Sequence, residues 1–316
     1  MPLDTSVVLA KVESPAGTYA TPVGATDAFL VFGYEVTPME SEEVRRQIER
    51  PFPGVNPSTY TAIRQRHAFS VELAGSGVAN TPAKWGTLLR GCLFGAGVPG
   101  VSKAAYPLAS VGDGEAMSIV GYKDNARHRG KLSRGNAVFR FTERQLPSIG
   151  FDFQSLIEGA SPMDGSAPSG VVLPNYPGPV EVSLANTVVT LGGTVLGVRS
   201  LEIDLGNKVA FFSTTGGRSI IFGKDESGDR RAITGTAVFE LPDPTAKNFF
   251  FDILPRSPLA FSLIHGTAAG NIVELASAGA VLGRATYTVE QNRIFMNCPI
   301  EFVPTAAGNE LMLETR

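Results

Sequence analysis

The octapeptide VFGYEVTP at residues 31–38 recurs in pattern as VRSLEIDL at residues 198–205. Two further matches keep the same order along the chain: HAFSVEL (67–73) with GTAVFEL (235–241), and KLSRGNAV (131–138) with ELASAGAV (274–281). A solenoid unit has only roughly 20 to 50 residues, so a repeat of this spacing indicates a domain that was duplicated in tandem. The alternative is a pair of unrelated β domains that share only the alternation of apolar and polar residues.

The composition agrees with two mainly β domains. A chain of 316 residues is expected to form about two domains, and 43% hydrophobic residues suffice for two ordinary cores. Only 18% of the residues are charged, whereas 35 glycines and 22 prolines indicate many turns. The net charge of −3 does not favour a protein that wraps nucleic acid, because neutralising phosphates requires a basic surface.

Composition shifts along the chain place the domain boundaries. Residues 1–28 are rich in Thr, Pro, Gly and Ala and are expected to form an extended N-terminal arm, since they hold too few apolar residues to pack alone. Residues 29–158 form the first predicted domain and residues 180–316 the second. Residues 159–179 are rich in Pro, Gly and Ser and are predicted to be the linker.

Each predicted domain has one helix signal. Thr81 is placed as an N-cap before Pro82, and an apolar stripe with helical spacing then follows. The stripe consists of Trp85, Leu88, Leu89, Cys92 and Leu93. The second, shorter helix is predicted over residues 246–254. Strands are predicted for most of the remaining alternating segments, including residues 148–157, 180–184, 187–191 and 196–205.

Two charged segments interrupt the strand pattern, Pro38 to Arg66 and Gly206 to Arg231. Long loops in compact domains are uncommon and are usually functional or disordered. One interpretation is a flexible surface hairpin. We favour the alternative, an arm that becomes ordered against a neighbouring subunit, because both halves contain such a segment. The candidate contact residues are Glu40, Glu42, Glu43, Arg45, Arg46, Arg50, Arg64, Arg66, Lys224, Asp225, Arg230 and Arg231.

Signals of catalysis, cofactors and membranes are weak throughout the sequence. The three histidines lack metal-ligand spacing, no nucleophile elbow of the form G-x-S-x-G is present, and no glycine-rich phosphate loop follows a strand. We therefore expect no enzyme activity and no cofactor. Cys92 and Cys298 are expected to be buried free thiols. No apolar run reaches the roughly 18 residues of a membrane span, and the N-terminus does not resemble a signal peptide, so a protein that is cytoplasmic when made is expected.

Four stretches together resemble the major tail (tail tube) proteins of long, non-contractile-tailed bacteriophages, the siphovirus type. They are KVESPAGTYATP (11–22), VTPME (36–40), HAFSVELAGSG (67–77) followed by PAKWGTLLR (82–90), and LIHGTAAGNIV (263–273). The resemblance extends over nearly the whole chain and rests on order and spacing. Residues 100–145 depart most from the pattern of the family.

The resemblance implies a fold and an assembly. The fold would be two tandem β-sandwich or partial-barrel domains, each flanked by one α-helix. Neighbouring subunits of the family join their inner sheets around a channel, and many single-domain members form hexameric rings. With two domains a chain would form trimeric rings with pseudo-sixfold symmetry; a hexameric ring is the alternative. The charged residues named above would then make contacts between successive rings.

The resemblance also implies partners and a location in the virion tail. The tail tip, tape measure and tail terminator proteins would contact the tube, and viral DNA would pass through its lumen without sequence-specific binding. Two rival classes remain open. Another ring- or tube-forming β protein, such as a secretion-tube component, would be single-domain. A β-sandwich adhesion or binding module would favour clustered exposed aromatic residues, whereas Trp85 is part of a predicted core stripe.

Overall fold

The protein is built almost entirely from antiparallel β-strands. The computed structural model describes residues 6–109, 114–174, 177–224, 228, 230–290 and 292–316. The strands are β1 (Ser6–Val12), β2 (Ala28–Phe29), β3 (Phe32–Arg45), β4 (Ser58–Glu72), β5 (Val98–Pro99), β6 (Ala104–Tyr106), β7 (Met117–Lys123), β8 (Ala126–Thr142), β9 (Ser148–Ile157), β10 (Asp164–Gly165), β11 (Thr187–Leu191), β12 (Thr194–Leu196), β13 (Val198–Asp204), β14 (Val209–Thr214), β15 (Gly217–Phe222), β16 (Thr234–Glu240), β17 (Pro258–His265), β18 (Val273–Leu282), β19 (Thr286–Glu290), β20 (Arg293–Phe302) and β21 (Met312–Thr315). The helical elements are α1 (Gly86–Leu89), followed by a 3-10 turn (Arg90–Cys92), and α2 (Phe250–Ile253).

Eight strands lie side by side in one continuous layer. Their order is β3–β4–β9–β8–β13–β16–β20–β19, and every neighbouring pair is antiparallel. The β8–β13 pair joins the N-terminal half of the chain to the C-terminal half. There Phe139 lies opposite Ile203 and Phe141 lies opposite Leu201. Strands β3 and β19 are the two edges of this layer, which does not close into a barrel.

The second layer covers the apolar face of the first. In the N-terminal half it consists of β2, β1, β7 and the first part of β8; in the C-terminal half it consists of β12, β11, β17 and β18, extended by β21, β6 and β5. Strand β8 bends between the layers near Leu132, whose φ is +50°. The resulting β-sandwich, with a short helix flanking each half, confirms the fold class expected from the sequence.

The two halves repeat one pairing scheme. β1, β3, β4, β7 and β9 correspond to β11, β13, β16, β17 and β20, while β8 corresponds to β18 followed by β19. The first sequence match holds residue by residue, since Val36 lies opposite His67 as Ile203 lies opposite Gly235. Even the β-bulge between Met117 and Ile119 recurs between Leu259 and Phe261.

The third sequence match is out of register in the structure. Val281 lies opposite Glu301 as Arg134 lies opposite Gln154, so Val281 corresponds to Arg134 and not to Val138. The error is four residues. A shift by an even number keeps every side chain on the same face of a strand, so alternation alone could not exclude it.

The N-terminal segment differs from the expected arm. Strand β1 pairs along its whole length with β7, and Val8 and Leu9 are almost completely buried. Val8 belongs to the main core, whereas Leu9 packs with Val120 on the other face. The composition of residues 1–28 concealed a short strand whose continuous apolar run, residues 7–10, packs on both faces. Buried Glu13 ties the next turn to the sheet by accepting hydrogen bonds from Gly17 N and Leu132 N at 2.7 and 2.8 Å.

Both helices are shorter than the sequence pattern predicts. The predicted stripe around Trp85 is buried as expected, but only four residues form α1, and Trp85, rather than Thr81, is the N-cap. Gly86 and Gly91 lie within the stretch, and glycine lowers helix propensity. Residues 180–184 form turns and bends in place of the predicted strand. Within the predicted linker, β10 pairs with β8, and residues 175–176 lie outside the described part of the chain.

Candidate assembly surfaces

The first charged segment forms a long hairpin that leaves the core. Strands β3 and β4 stay paired from Thr37 and Arg66 out to Arg45 and Ser58, and residues 46–57 form the connecting turn. Glu40 and Arg64 bind each other near the base, with 3.0 Å between Oε2 and Nε. A two-stranded ribbon alone is only marginally stable in water. Most residues from Glu42 to Tyr60 are exposed, so the outer half of the hairpin has little packing against the described part of its own chain.

Five of the predicted contact residues lie on the outer half of this hairpin and are exposed: Glu42, Glu43, Arg45, Arg46 and Arg50. A hydrogen bond from Ser58 and the nearby Arg45 guanidinium lower the pKa of Glu43. Four apolar side chains on the hairpin are also exposed, Val44, Phe52, Val55 and Tyr60 at 54%, 60%, 82% and 59%. The sequence interpretation stressed the charges and missed these apolar residues.

Two other predicted contact residues form ion pairs inside the chain. Arg66 donates two hydrogen bonds to Asp152 at 2.7 and 2.6 Å on the adjoining strand β9. The side chain of Arg231 is 11% exposed, pairs with Glu310 at 2.9 Å and donates to the Ala109 carbonyl at 2.6 Å. In this structure Arg231 therefore connects the C-terminal tail to the N-terminal half.

The second charged segment folds back onto the molecule. Strands β14 and β15 form a separate hairpin, and Ile220 O on β15 accepts a hydrogen bond of 2.6 Å from buried Arg134. The same guanidinium lies over the Phe222 ring, and Arg64 lies over Phe211. Lys224 is exposed, the Arg230 carbonyl accepts a bond from Lys208 N, and Asp225 lies outside the described residues. The first charged segment thus projects from the molecule, whereas the second packs against it.

The free edge at β19 carries exposed apolar side chains. Tyr287 and Val289 are 54% and 68% exposed. Their counterparts at the end of β8, Phe139 and Phe141, are 0% and 1% exposed because β13 lies beside them. Among the described residues no strand lies beside β19 on its outer side. An unpaired strand with apolar side chains is a template for pairing with another chain.

The opposite edge, β3, offers a complementary strand. Tyr34 and Val36 point into the core, in the positions that Leu201 and Ile203 have on β13. Tyr34 is 6% exposed and Phe32 is 50% exposed. Strand β3 therefore has the alternation that β13 uses to pair with β8, but no strand in the described part of the chain lies on its outer side.

A buried polar cluster supports the β3 edge. The Tyr34 hydroxyl donates to His67 Nδ1 at 3.1 Å, and His67 Nε2 donates to Gln65 Oε1 at 3.2 Å. The Gln65 amide donates to the Pro162 carbonyl at 3.0 Å. Complete burial, with a smaller effect of nearby His128, lowers the pKa of His67 to about 3. The cluster holds His67 neutral and joins the edge strand to the segment after β9.

The two cysteines and the titratable side chains form no metal site in the described part of the chain. Cys92 and Cys298 are free and buried, as the sequence analysis expects, and burial raises the pKa of Cys298 to about 11. Within the described ranges, no group of three or more His, Cys, Asp or Glu side chains is placed to hold a metal ion. None of the described helices has the length and apolar character that a membrane span requires.

Comparison with known proteins assigns the family. A family model described as "Phage tail tube protein" matches residues 4–303, which is nearly the whole chain. No curated protein sequence matches. The match includes both halves, the long hairpin and both edge strands. The chain belongs to the phage tail tube protein family, a structural family of the virion tail.

Proposed function

We propose that this chain polymerises into trimeric rings that stack into the tail tube of a siphovirus-type phage. The proposal rests on β3 and β19, the two edge strands of the eight-stranded layer. Each chain would contribute two wall segments, one from a domain over about residues 29–158 and one over 180–316, with β1 added to the first. Strand β19 of one chain would pair with β3 of the next. The β8–β13 junction supports this pairing. The end of β8 is the counterpart of β19 and β13 is the counterpart of β3, and β8 and β13 pair within one chain.

The internal junction also supplies the register. At β8–β13, Phe139 lies opposite Ile203, Arg140 opposite Glu202 and Phe141 opposite Leu201. Replacing each residue by its counterpart puts Tyr287 opposite Val36, Thr288 opposite Glu35 and Val289 opposite Tyr34. A head-to-tail contact of this kind closes into a ring when its rotation permits. A closed ring of sheets removes both free edges.

The outward face of the eight-stranded layer is proposed to line the DNA channel. On each strand it carries the polar partners of the core residues, because side chains alternate between faces. Its carboxylates include Glu35, Glu72, Asp152, Glu202, Glu240 and Glu301, and the last four pair with Arg66, Arg140, Arg293 and Arg256. Because these arginines are held by carboxylates, the face presents little free positive charge to phosphates, so viral DNA would pass without sequence-specific binding.

The long hairpin would connect successive rings. Its exposed residues Val44, Phe52 and Val55 would be buried against the next ring, together with the charged residues Glu42, Glu43, Arg45, Arg46 and Arg50. At the two ends of the tube, the tail tip and terminator proteins would replace a ring, and the tape measure protein would occupy the lumen. Rings would assemble in the host cytoplasm.

Cross-linking and particle symmetry test this proposal together. Glu35→Cys combined with Thr288→Cys is expected to give interchain cross-links with a short bismaleimide, in a ladder that ends at the trimer. Glu35→Cys with Val289→Cys is the matched control, because Val289 lies one residue along the strand and on the opposite face. Negative-stain class averages and native mass should show three chains per ring. Six chains per ring, or a chain that stays monomeric at high concentration, would contradict the proposal.

A further inference from the structure

An apolar patch on α2 lies beside the β19 edge. Phe250, Phe251 and Leu254 are 37%, 77% and 80% exposed. The Phe250 ring contacts the Tyr287 ring edge to face, with 6.2 Å between centroids. The α2 patch, defined by these three residues, is therefore continuous with the strand edge that the proposed ring uses. Contiguous exposed apolar side chains on a folded protein usually mark an interaction site.

The patch is held firmly on the sandwich. Phe249, directly before the helix, is 1% exposed and packs edge to face on Phe239 at 5.6 Å. Lys247 pairs with Asp252 at 2.7 Å. The exposed side chains thus project from an anchored helix, and their exposure does not come from a detached segment.

The corresponding helix in the N-terminal half is covered. Two elements cover it: residues 94–109, whose Tyr106 ring stacks on Trp85 at 4.9 Å, and Asn207 from the other half. Asn207 Nδ2 donates to the Cys92 carbonyl at 2.9 Å. The C-terminal half has no segment like residues 94–109, because β17 begins at Pro258, four residues after Leu254.

Residue Asn207 shows what would cover α2 in an assembly. It follows β13 by three residues, and β13 corresponds to β3. The residues that follow the matching part of β3 are Pro38 to Glu40, the base of the long hairpin. If β19 pairs with β3 of a second copy in the register given above, this base passes over α2 as Asn207 passes over the 3-10 turn after α1.

We propose that the α2 patch binds the hairpin base of the neighbouring chain, with Met39 against Phe251 and Leu254. Met39 is 38% exposed, and an unbranched thioether side chain adapts well to an irregular apolar surface. This inference rests on the proposed ring. It gives the ring a second contact beside the paired strands, one that fixes the direction of the hairpin as the ring closes.

A double substitution tests the energetic part of this inference. Phe251→Ser with Leu254→Ser removes two apolar side chains that the contact would bury, so the protein concentration needed for half-maximal ring formation should rise at least about tenfold. Val101→Ser with Leu184→Ser is the matched control, since those side chains are 101% and 97% exposed. Sedimentation velocity measures ring formation, and circular dichroism verifies the monomer fold. A double variant that forms rings at the same concentration as the control would overturn the inference.

A cross-link tests the geometry without depending on stability. Met39→Cys with Leu254→Cys should give an interchain product with a bismaleimide, whereas Met39→Cys with Val101→Cys should not. If the Glu35–Thr288 pair cross-links and the Met39–Leu254 pair does not, the α2 contact is wrong and the ring stands. If neither pair cross-links, the ring proposal itself fails, and this inference fails with it.

Discussion

The end of β8 and strand β19 occupy the same place in the two halves, but their surroundings differ. Phe139 and Phe141 are buried under β13, while Tyr287 and Val289 are largely exposed. All four side chains are mainly apolar, so the exposure of Tyr287 and Val289 reflects a missing neighbour and not a polar strand. The β8–β13 contact is thus complete within the chain. The strands that would make a second contact of the same kind, β19 and β3, are both edge strands in the described part of the chain.

The interiors of the two halves differ as well. In the N-terminal half Tyr34, Gln65, His67 and His128 are buried as a polar cluster. The corresponding positions in the C-terminal half are Leu201, Ile233, Gly235 and Leu275, and all are buried. The same backbone arrangement thus accepts either a hydrogen-bonded or an apolar interior. Titration of this cluster therefore acts on the N-terminal half, whereas the buried histidine of the C-terminal half, His265, lies at a different position.

The largest effect is expected from removing the projecting hairpin. Deletion of residues 40–64, with Met39 joined to Gln65 by two glycines, should leave a folded protein that forms no tubes, because the deleted residues make few contacts with the core. Deletion of residues 209–222 is the contrasting variant. That hairpin packs on Arg134, so its loss should lower thermal stability first. Electron microscopy and thermal unfolding distinguish the two outcomes, and normal tubes from the first deletion would contradict the proposed role.

The next largest effect should come from the junction strands. Phe139→Ala should lower the free energy of unfolding by about 3–5 kcal/mol, since it empties a fully buried position. Tyr287→Ala should cost the isolated chain less than about 1 kcal/mol, because the side chain is already half exposed, but it should weaken ring formation. Urea denaturation of dilute protein and sedimentation at high concentration measure the two effects. If both substitutions lowered the stability of the monomer equally, the end of β8 and strand β19 would be equally buried in the isolated chain, which contradicts the comparison.

Part of this arrangement could be predicted from the sequence. Strand β9 and strand β11 are found at the predicted residues, 148–157 and 187–191, because their alternation is regular and turn residues bound them. The match of residues 31–38 with 198–205 gave the correct register. Strand β1 was missed because its short apolar run, residues 7–10, precedes a segment rich in Pro, Gly and Thr. Its burial depends on β7, which is distant in sequence.

The assembly surfaces were only partly predictable. The charged segments were identified by composition, but composition cannot distinguish a hairpin that projects from one that folds back. The second hairpin folds back because its Phe222 contacts Arg134, which is distant in sequence. The β19 edge had no sequence signal of its own. Tyr287 and Val289 have the pattern of ordinary core residues, and only the structure reveals that none of the described strands lies beside them on the outer side.

The polar cluster predicts a pH effect in the N-terminal half. His67 has an ordinary pKa of 6.5 in the unfolded chain and a pKa of about 3 in the fold, so between these values the unfolded chain binds a proton that the folded chain does not. Stability should therefore fall as the pH drops below about 6.5, by about 2 kcal/mol at pH 5. His67→Gln should reduce this pH dependence. Urea midpoints at pH 7.5 and pH 5 measure it, and an unchanged slope in the variant would assign the effect to other groups.

The smallest expected effect tests the register at the level of one pair. At the internal junction Arg140 and Glu202 lie opposite each other with 3.1 Å between Nε and Oε2, whereas the proposed interchain junction puts Thr288 opposite Glu35. Thr288→Arg should copy the internal pair and Thr288→Glu should place like charges together. Exposed pairs contribute about 0–1 kcal/mol and are screened by salt. The arginine variant should thus form rings at a slightly lower concentration than the glutamate variant, with a difference that disappears in 1 M salt, as sedimentation can measure.

The same two substitutions at Val289 would place the charge on the apolar face and weaken rings in both cases, so a salt-sensitive difference at Thr288 alone supports pairing with Glu35. If the two Thr288 variants form rings equally at low salt, Glu35 is not the residue opposite.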